Sequence, residues 1–192
     1  MREQDNECTV ILLGESGVGK STFINALANY LIYNSFEEAR KQPMTYLIPA
    51  SFTLTDKTTF ETIKVKCGED DNELSKVGMS CTQNARSHFI KISNNKRLHI
   101  IDTPGIGDTR GASQDKENIE NTLKYISQYG QLNAICILLK PNHARLDLHF
   151  RFCLKELLVH LHKDAAPNIV FCFTNSRSTF YGPGDTFEPL KV

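Results

Sequence analysis

The chain has 192 residues, 40% of them apolar and 23% charged, which suits a single domain with a buried core. Lysine plus arginine number 22 and aspartate plus glutamate number 22, so there is no net charge. Nothing in that balance implies a broad basic face for nucleic acid or an anionic membrane, and any phosphate site has to be local.

The opening residues, Met1 to Glu7, are charged and polar, unlike a signal peptide. No apolar run approaches the ~20 residues that span a bilayer. These features predict a cytoplasmic protein with no transmembrane segment. Thr9-Val10-Ile11-Leu12-Leu13 is a short branched apolar run, as in strands covered on both faces. A glycine-rich stretch follows, then a helical pattern with Phe23, Ile24, Leu27 and Leu31. Tyr46 to Leu54 and Phe60 to Val65 flank Thr55-Asp56-Lys57 and predict an inserted β-ribbon, followed by an exposed acidic loop at Glu69 to Glu73.

His88 to Ile92 and Leu98 to Ile101 flank Ser93-Asn94-Asn95-Lys96, a hairpin signal. Ile119, Leu123 and Ile126 recur at helical spacing and stop near Gly130. A second buried strand is expected at Ala134 to Leu139. An amphipathic helix follows, marked by Leu146, Phe150, Cys153, Leu154, Leu157, Leu158 and Leu161, and a third strand at Ile169 to Phe173. This alternation predicts a doubly wound, mostly parallel α/β sheet over residues 1–192. The six cysteines show no CxxC spacing, and Cys8, Cys136 and Cys172 read as small core residues.

Gly14-Glu15-Ser16-Gly17-Val18-Gly19-Lys20-Ser21 matches GxxxxGK[ST] in full, after a strand and before a helix. Glycines let the backbone wrap phosphates, and the helix N-terminus adds positive partial charge. Lys20 is expected on the β- and γ-phosphates and the Ser21 hydroxyl on Mg²⁺. Asp102-Thr103-Pro104-Gly105 ends another apolar strand. It fits a magnesium-side carboxylate at Asp102 and a γ-phosphate contact from the Gly105 N–H.

Gly14 to Thr22 together with Asp102-Thr103-Pro104-Gly105-Ile106-Gly107-Asp108 resembles the septin and IMAP-type (immunity-associated, AIG-like) GTPases of the translation-factor-related class. The likeness runs from about Thr9 to the C-terminus. It implies a Ras-like fold with one antiparallel hairpin strand, GTP or GDP as ligand, and Mg²⁺ as cofactor. A complete domain of this kind would continue past Val192 with another strand and helix, so the chain is expected to be the N-terminal part of a longer protein. The resemblance also calls for a threonine that closes over Mg²⁺ and the γ-phosphate. Thr82 is the choice, with Thr58, Thr59 and Thr62 as competitors. His143, after the second buried strand, corresponds to a septin histidine that reaches across a dimer interface. Arg110 is a candidate charge stabiliser supplied in cis.

Two positions depart from the family pattern. Ile106 stands where Ras-type enzymes carry a water-orienting glutamine, which implies slow turnover. The base-reading Asn/Thr-Lys-x-Asp becomes Thr174-Asn175-Ser176-Arg177, and Arg177 donates but cannot accept from guanine N–H groups. Asn175 or Asp185 would then supply the acceptor. The expected function is a slow, Mg²⁺-dependent GTPase acting as a switch or a nucleotide-dependent homodimer. The alternatives are a GTP-binding module that scarcely hydrolyses, and an ATP-using P-loop enzyme.

Overall fold

The computed structural model describes residues 6–68, 82, 84–93, 95–106, 112–142, 148–160 and 163–190. Among these residues, seven strands and four α-helices follow in the order β1 (Glu7–Gly14), α1 (Lys20–Ile32), α2 (Phe36–Arg40), β2 (Ala50–Thr55), β3 (Thr62–Cys67), β4 (Arg86–Ser93), β5 (Lys96–Asp102), α3 (Ala112–Ile126), β6 (Ala134–Leu139), α4 (Leu148–Val159) and β7 (Ile169–Phe173). Short 3₁₀ turns at Lys163–Asn168, Ser176–Thr179 and Gly184–Leu190 complete the chain.

Five strands form one sheet in the order β4-β5-β1-β6-β7, and β2 and β3 form a separate ribbon. β1 pairs in parallel with β5 and β6, and β6 with β7, whereas β4 runs antiparallel to β5. The continuous apolar runs exist because helices cover both faces of the sheet. Ile11 and Leu13 of β1 face one way, into a core with Ile101, Ile135, Ile137, Leu157 of α4 and Ile119 of α3. Leu12 faces the other, with Ile24 and Ala28 of α1, Ile100 and Leu138. The mostly parallel sheet, the antiparallel hairpin strand and the inserted ribbon are all as the sequence predicts.

Two local expectations need correction, and one helix carries no signal that periodicity would find. Cys8 is exposed, because it precedes Val10, where β6 first joins β1, and lies at the uncovered end of the strand. Cys136 is buried and Cys172 half-buried, with their sulfurs 3.1 Å apart as a thiol hydrogen bond. The ribbon begins at Ala50, not Tyr46: Asn25 and Asn29 of α1 bond the backbone of Thr45, Leu47 and Ile48 and hold that segment against the helix. Finally, α2 carries no apolar stripe that periodicity would detect. Its signal is the Ser35 cap, whose Oγ accepts from the Glu38 N–H at 3.1 Å. The expected acidic loop at 69–73 lies outside the described residues.

A buried polar network ties β1, β4, β5 and α3 together. His99 is fully buried, stacked on Phe89 at 4.5 Å between ring centroids. Its Nδ1 lies 3.2 Å from Glu7 Oε1 and its Nε2 lies 2.5 Å from Ser87 Oγ. A carboxylate only accepts, so the proton sits on Nδ1 and Ser87 donates to Nε2. Ser87 Oγ in turn accepts from the Tyr125 hydroxyl at 2.9 Å and lies 3.0 Å from that of Tyr129. The serine, histidine and glutamate are in the order of a hydrolytic triad. Here, however, the serine is engaged by two phenols and the ring is sealed from solvent, so the network is architectural.

Burial holds the His99 pKa below its usual value; Glu7 opposes that shift and Arg97 adds slightly to it. The folded chain therefore binds this proton less readily than the unfolded chain. Stability should be unaffected by this group above the unfolded value near 6.5, and should fall as pH drops from there towards the folded value. Urea midpoints measured between about pH 7.5 and pH 5 should show this slope, and His99→Gln should flatten it. An unchanged slope in the variant would assign the acid sensitivity to other groups.

Candidate nucleotide site

The site forms where β1 and β5 end on the same edge of the sheet, the usual location for ligands in open α/β sheets. Gly17 and Gly19 adopt φ of 71° and 104°, conformations that side-chain-bearing residues rarely take. They turn the 14–19 loop tightly into α1, whose cap is Gly19. Lys20 is buried, and its Nζ donates to the carbonyls of Gly14 at 3.1 Å and Glu15 at 3.2 Å. Ser21 is half-buried and Thr22 exposed in the first turn of α1.

The loops at 14–19 and 102–106 are joined directly. The Ser16 N–H donates to the Ile106 carbonyl at 2.8 Å, and the Ile106 N–H to that of Gly14 at 3.1 Å. Thr103 Oγ1 donates to the Leu12 carbonyl at 2.7 Å, a contact sequence reading did not anticipate. Gly105 has no room for a side chain: a Cβ there would lie 2.6 Å from Ser16 Cα and 2.8 Å from its nitrogen. The Ile106 side chain is buried in the core beneath α3.

Asp102 is almost fully buried at the end of β5. Thr82 Oγ1, also buried, donates to its Oδ2 at 3.1 Å. Oδ1 has no partner among the described residues. Burial pushes the Asp102 pKa up, while the Lys20 charge and the Thr82 hydrogen bond pull it down. A buried carboxylate oxygen left open is what a divalent cation satisfies, and the oxygen donors Ser21, Thr82 and Asp102 suit Mg²⁺. By contrast, Thr58 and Thr59 are exposed in the ribbon turn, where their N–H groups donate to Asp56, and Thr62 is exposed in β3. None of the three meets Asp102.

At the other end of the edge, Thr174 Oγ1 donates to the Val18 carbonyl at 2.6 Å and ties the end of β7 to the phosphate loop. Asn175 follows in a left-handed conformation, and Arg177 is exposed in the next 3₁₀ turn. Asn142, which the sequence did not single out, brings in the later loop: its Oδ1 accepts from the Asp185 N–H at 3.4 Å, and Thr186 Oγ1 donates to the Lys140 carbonyl. Asp185 thus stands beside the end of β6, while Asn175 and Arg177 stand at the end of β7. His143 and Arg110 lie outside the described residues.

Residues 9–174 match the family described as 50S ribosome-binding GTPase. The chain belongs to that family of GTP-binding P-loop GTPase domains. The septin side of the resemblance is met as well. Cell division control protein 11 of Saccharomyces cerevisiae is 30% identical over 143 residues, covering 74% of this chain and 26% of that protein. Septation protein 7 of Candida albicans is 30% identical over 148 residues, covering 75% and 21%. The chain therefore spans only about a quarter of the length of these relatives. A solved structure from work on the chloroplast translocon components atToc33 and psToc159 aligns with a TM-score of 0.57 at 14% identity. It covers 91% of this chain and 53% of that one, a likeness of fold. Among the described residues no helix is long and apolar enough to cross a membrane.

Proposed function

We propose that this domain binds GTP with Mg²⁺, hydrolyses it slowly and changes state with the nucleotide. The observation that carries this reading is the Thr82–Asp102 hydrogen bond beside the open Asp102 Oδ1. It joins a residue from the connection between β3 and β4 to the magnesium-side carboxylate, as a γ-phosphate-dependent closure needs. Lys20 and the N–H groups of the 14–21 loop other than those of Ser16 and Val18, which already donate to Ile106 and Glu15, would bind the phosphates, and Gly105 would contact the γ-phosphate through its N–H. Ser21, Thr82 and Asp102 would hold the metal, which when bound neutralises charge developing on the phosphate oxygens. Thr174, Asn175, Arg177 and Asp185 are the groups available to the base, and membership of a GTPase family favours guanine over adenine there.

The burial of Ile106 favours a slow enzyme, and equally the second reading, a module that holds GTP without turning it over. A nucleotide-dependent homodimer with His143 near the contact, a cytoplasmic location and an AIG-like affiliation remain part of the proposal. Dimerization is important for the GTPase activity of atToc33 and psToc159, which supports looking for such a dimer here.

Thr82→Ala tests the switch. Its contact with a metal-bound γ-phosphate is absent with GDP, so single-turnover phosphate release should slow roughly 10- to 100-fold. GDP affinity by calorimetry should stay within about twofold. A loss of GDP affinity as large as the loss of turnover would make Thr82 part of the scaffold. Absence of phosphate release in the unsubstituted chain would select the non-hydrolysing reading.

A further inference from the structure

We propose that Asn118 is a positioning residue for the γ-phosphate contact, acting through one buried water that it holds between α3 and the 103–106 loop. The inference rests on the γ-phosphate role given above to Gly105, which lies within that loop. The inward face of α3 is unusual for a helix laid on a sheet. Asp115, Asn118 and Thr122 recur at helical spacing and are 2%, 4% and 3% exposed, where an amphipathic helix would place apolar side chains. Ile119, Leu123 and Ile126 run beside them and supply the helix's share of the core.

A cavity of about 10 Å³ lies where this polar stripe meets the loop, the least volume that takes a single water. Thr103, Pro104 and Ile106 line it from the loop, and Asn118, Ile119 and Thr122 line it from α3. Its polar groups suit a water. The Thr103 hydroxyl gives its proton to the Leu12 carbonyl and the Thr122 hydroxyl to the Asn118 carbonyl, each at 2.7 Å. Both oxygens keep lone pairs and can only accept. The Asn118 amide is the reverse. Its Oδ1 accepts from Gln114 Nε2 at 3.2 Å, and a contact of the same nitrogen with Glu117 fixes which end of Gln114 donates. Its Nδ2 is buried and has no partner among the described residues. A buried donor is costly to leave unmatched. One donor and two acceptors complement one water, which then makes three hydrogen bonds, the usual number for a buried one. The loop is tied to β1 through Thr103 and to the 14–19 loop through Ile106; the water adds a tie to α3, two residues from Gly105.

Two measurements on the 192-residue chain test this. In isotope-labelled, nucleotide-free protein, the Asn118 side-chain amide should show nuclear Overhauser contacts to a long-lived water. Asn118→Leu then removes the donor and dries the cavity. Calorimetry should find its GDP affinity within about twofold of the original, and its preference for a non-hydrolysable GTP analogue over GDP lowered about tenfold, because a loosened loop presents Gly105 out of place. Thr122→Val, which removes one acceptor, should act in the same direction by less. The thermal midpoint of Asn118→Leu should stay close to the original, since replacing a buried donor and its partner by an apolar group of similar shape is nearly neutral. A purely structural residue would give the reverse, a lowered midpoint with the preference unchanged. That result, equal losses of GDP and analogue affinity, or no water contact at the amide of the unsubstituted chain would each overturn the proposal. Failure of the GTP reading would show instead as an unsubstituted chain that binds neither nucleotide, and the positioning role falls with it even where the water contact is seen.

Discussion

Lys20→Ala should lower GTP and GDP affinity by at least about 100-fold, a loss of roughly 3 kcal/mol. Lys20 is the one cation that the GxxxxGK[ST] loop itself carries, and it sits buried where the phosphates would lie. Its ammonium donates to the Gly14 and Glu15 carbonyls. Phosphate oxygens are stronger acceptors than those carbonyls, because a hydrogen bond between two charged partners is about twice as strong as a neutral one. Removing the amine should cost the nucleotide-free fold little, since the Gly14 carbonyl keeps the Ile106 N–H as a donor and the Glu15 carbonyl keeps that of Val18; its thermal midpoint should move by no more than about 4 °C. Calorimetry with both nucleotides and a melting curve without them give the two numbers. An affinity within about threefold of the original would dismiss the phosphate assignment; a midpoint that collapses along with it would mean that Lys20 supports the fold instead.

Gly105→Ala should be nearly as damaging, for a different reason. The added methyl would meet backbone atoms of Ser16 at 2.6 and 2.8 Å, and backbone has no rotamer by which to yield. The loops at 14–19 and 102–106 would have to part, breaking the Ser16–Ile106 and Ile106–Gly14 hydrogen bonds that hold them in register. A displacement near 1 Å at a phosphoryl-transfer site costs on the order of 100-fold in rate. Turnover should therefore fall by about that factor, and the preference for GTP analogue over GDP should vanish, because the Gly105 N–H no longer reaches a γ-phosphate. Retained preference with lost turnover would mean that the γ-phosphate is sensed elsewhere.

Much of this architecture is visible in the linear chain because its chemistry is contiguous. A phosphate cradle needs glycines, a lysine and a hydroxyl within one loop, so Gly14 to Ser21 announces itself. Asp102 is legible because a carboxylate ending an apolar run is unusual. The doubly covered strands show as unbroken runs of branched residues. The ribbon's root was misplaced because Asn25 and Asn29 are ordinary helix residues until the segment they hold is in place. Cys8 looked like core because an apolar run does not reveal where the covering helix stops.

By itself, then, the sequence determined the fold class and the P-loop motif and singled out Asp102 as the candidate carboxylate, since each rests on neighbours in the chain or on a single period of burial. Tertiary structure alone set Thr82 against Asp102 across 20 positions and left Thr58 and Thr59 capping a turn on the ribbon. It alone joined Thr174 to Val18 across 156 positions and enclosed His99 between Glu7 and Ser87. A hydrogen bond is specified by the final distance and angle of two groups, and residues far apart in the chain acquire those only once the sheet has brought their strands together.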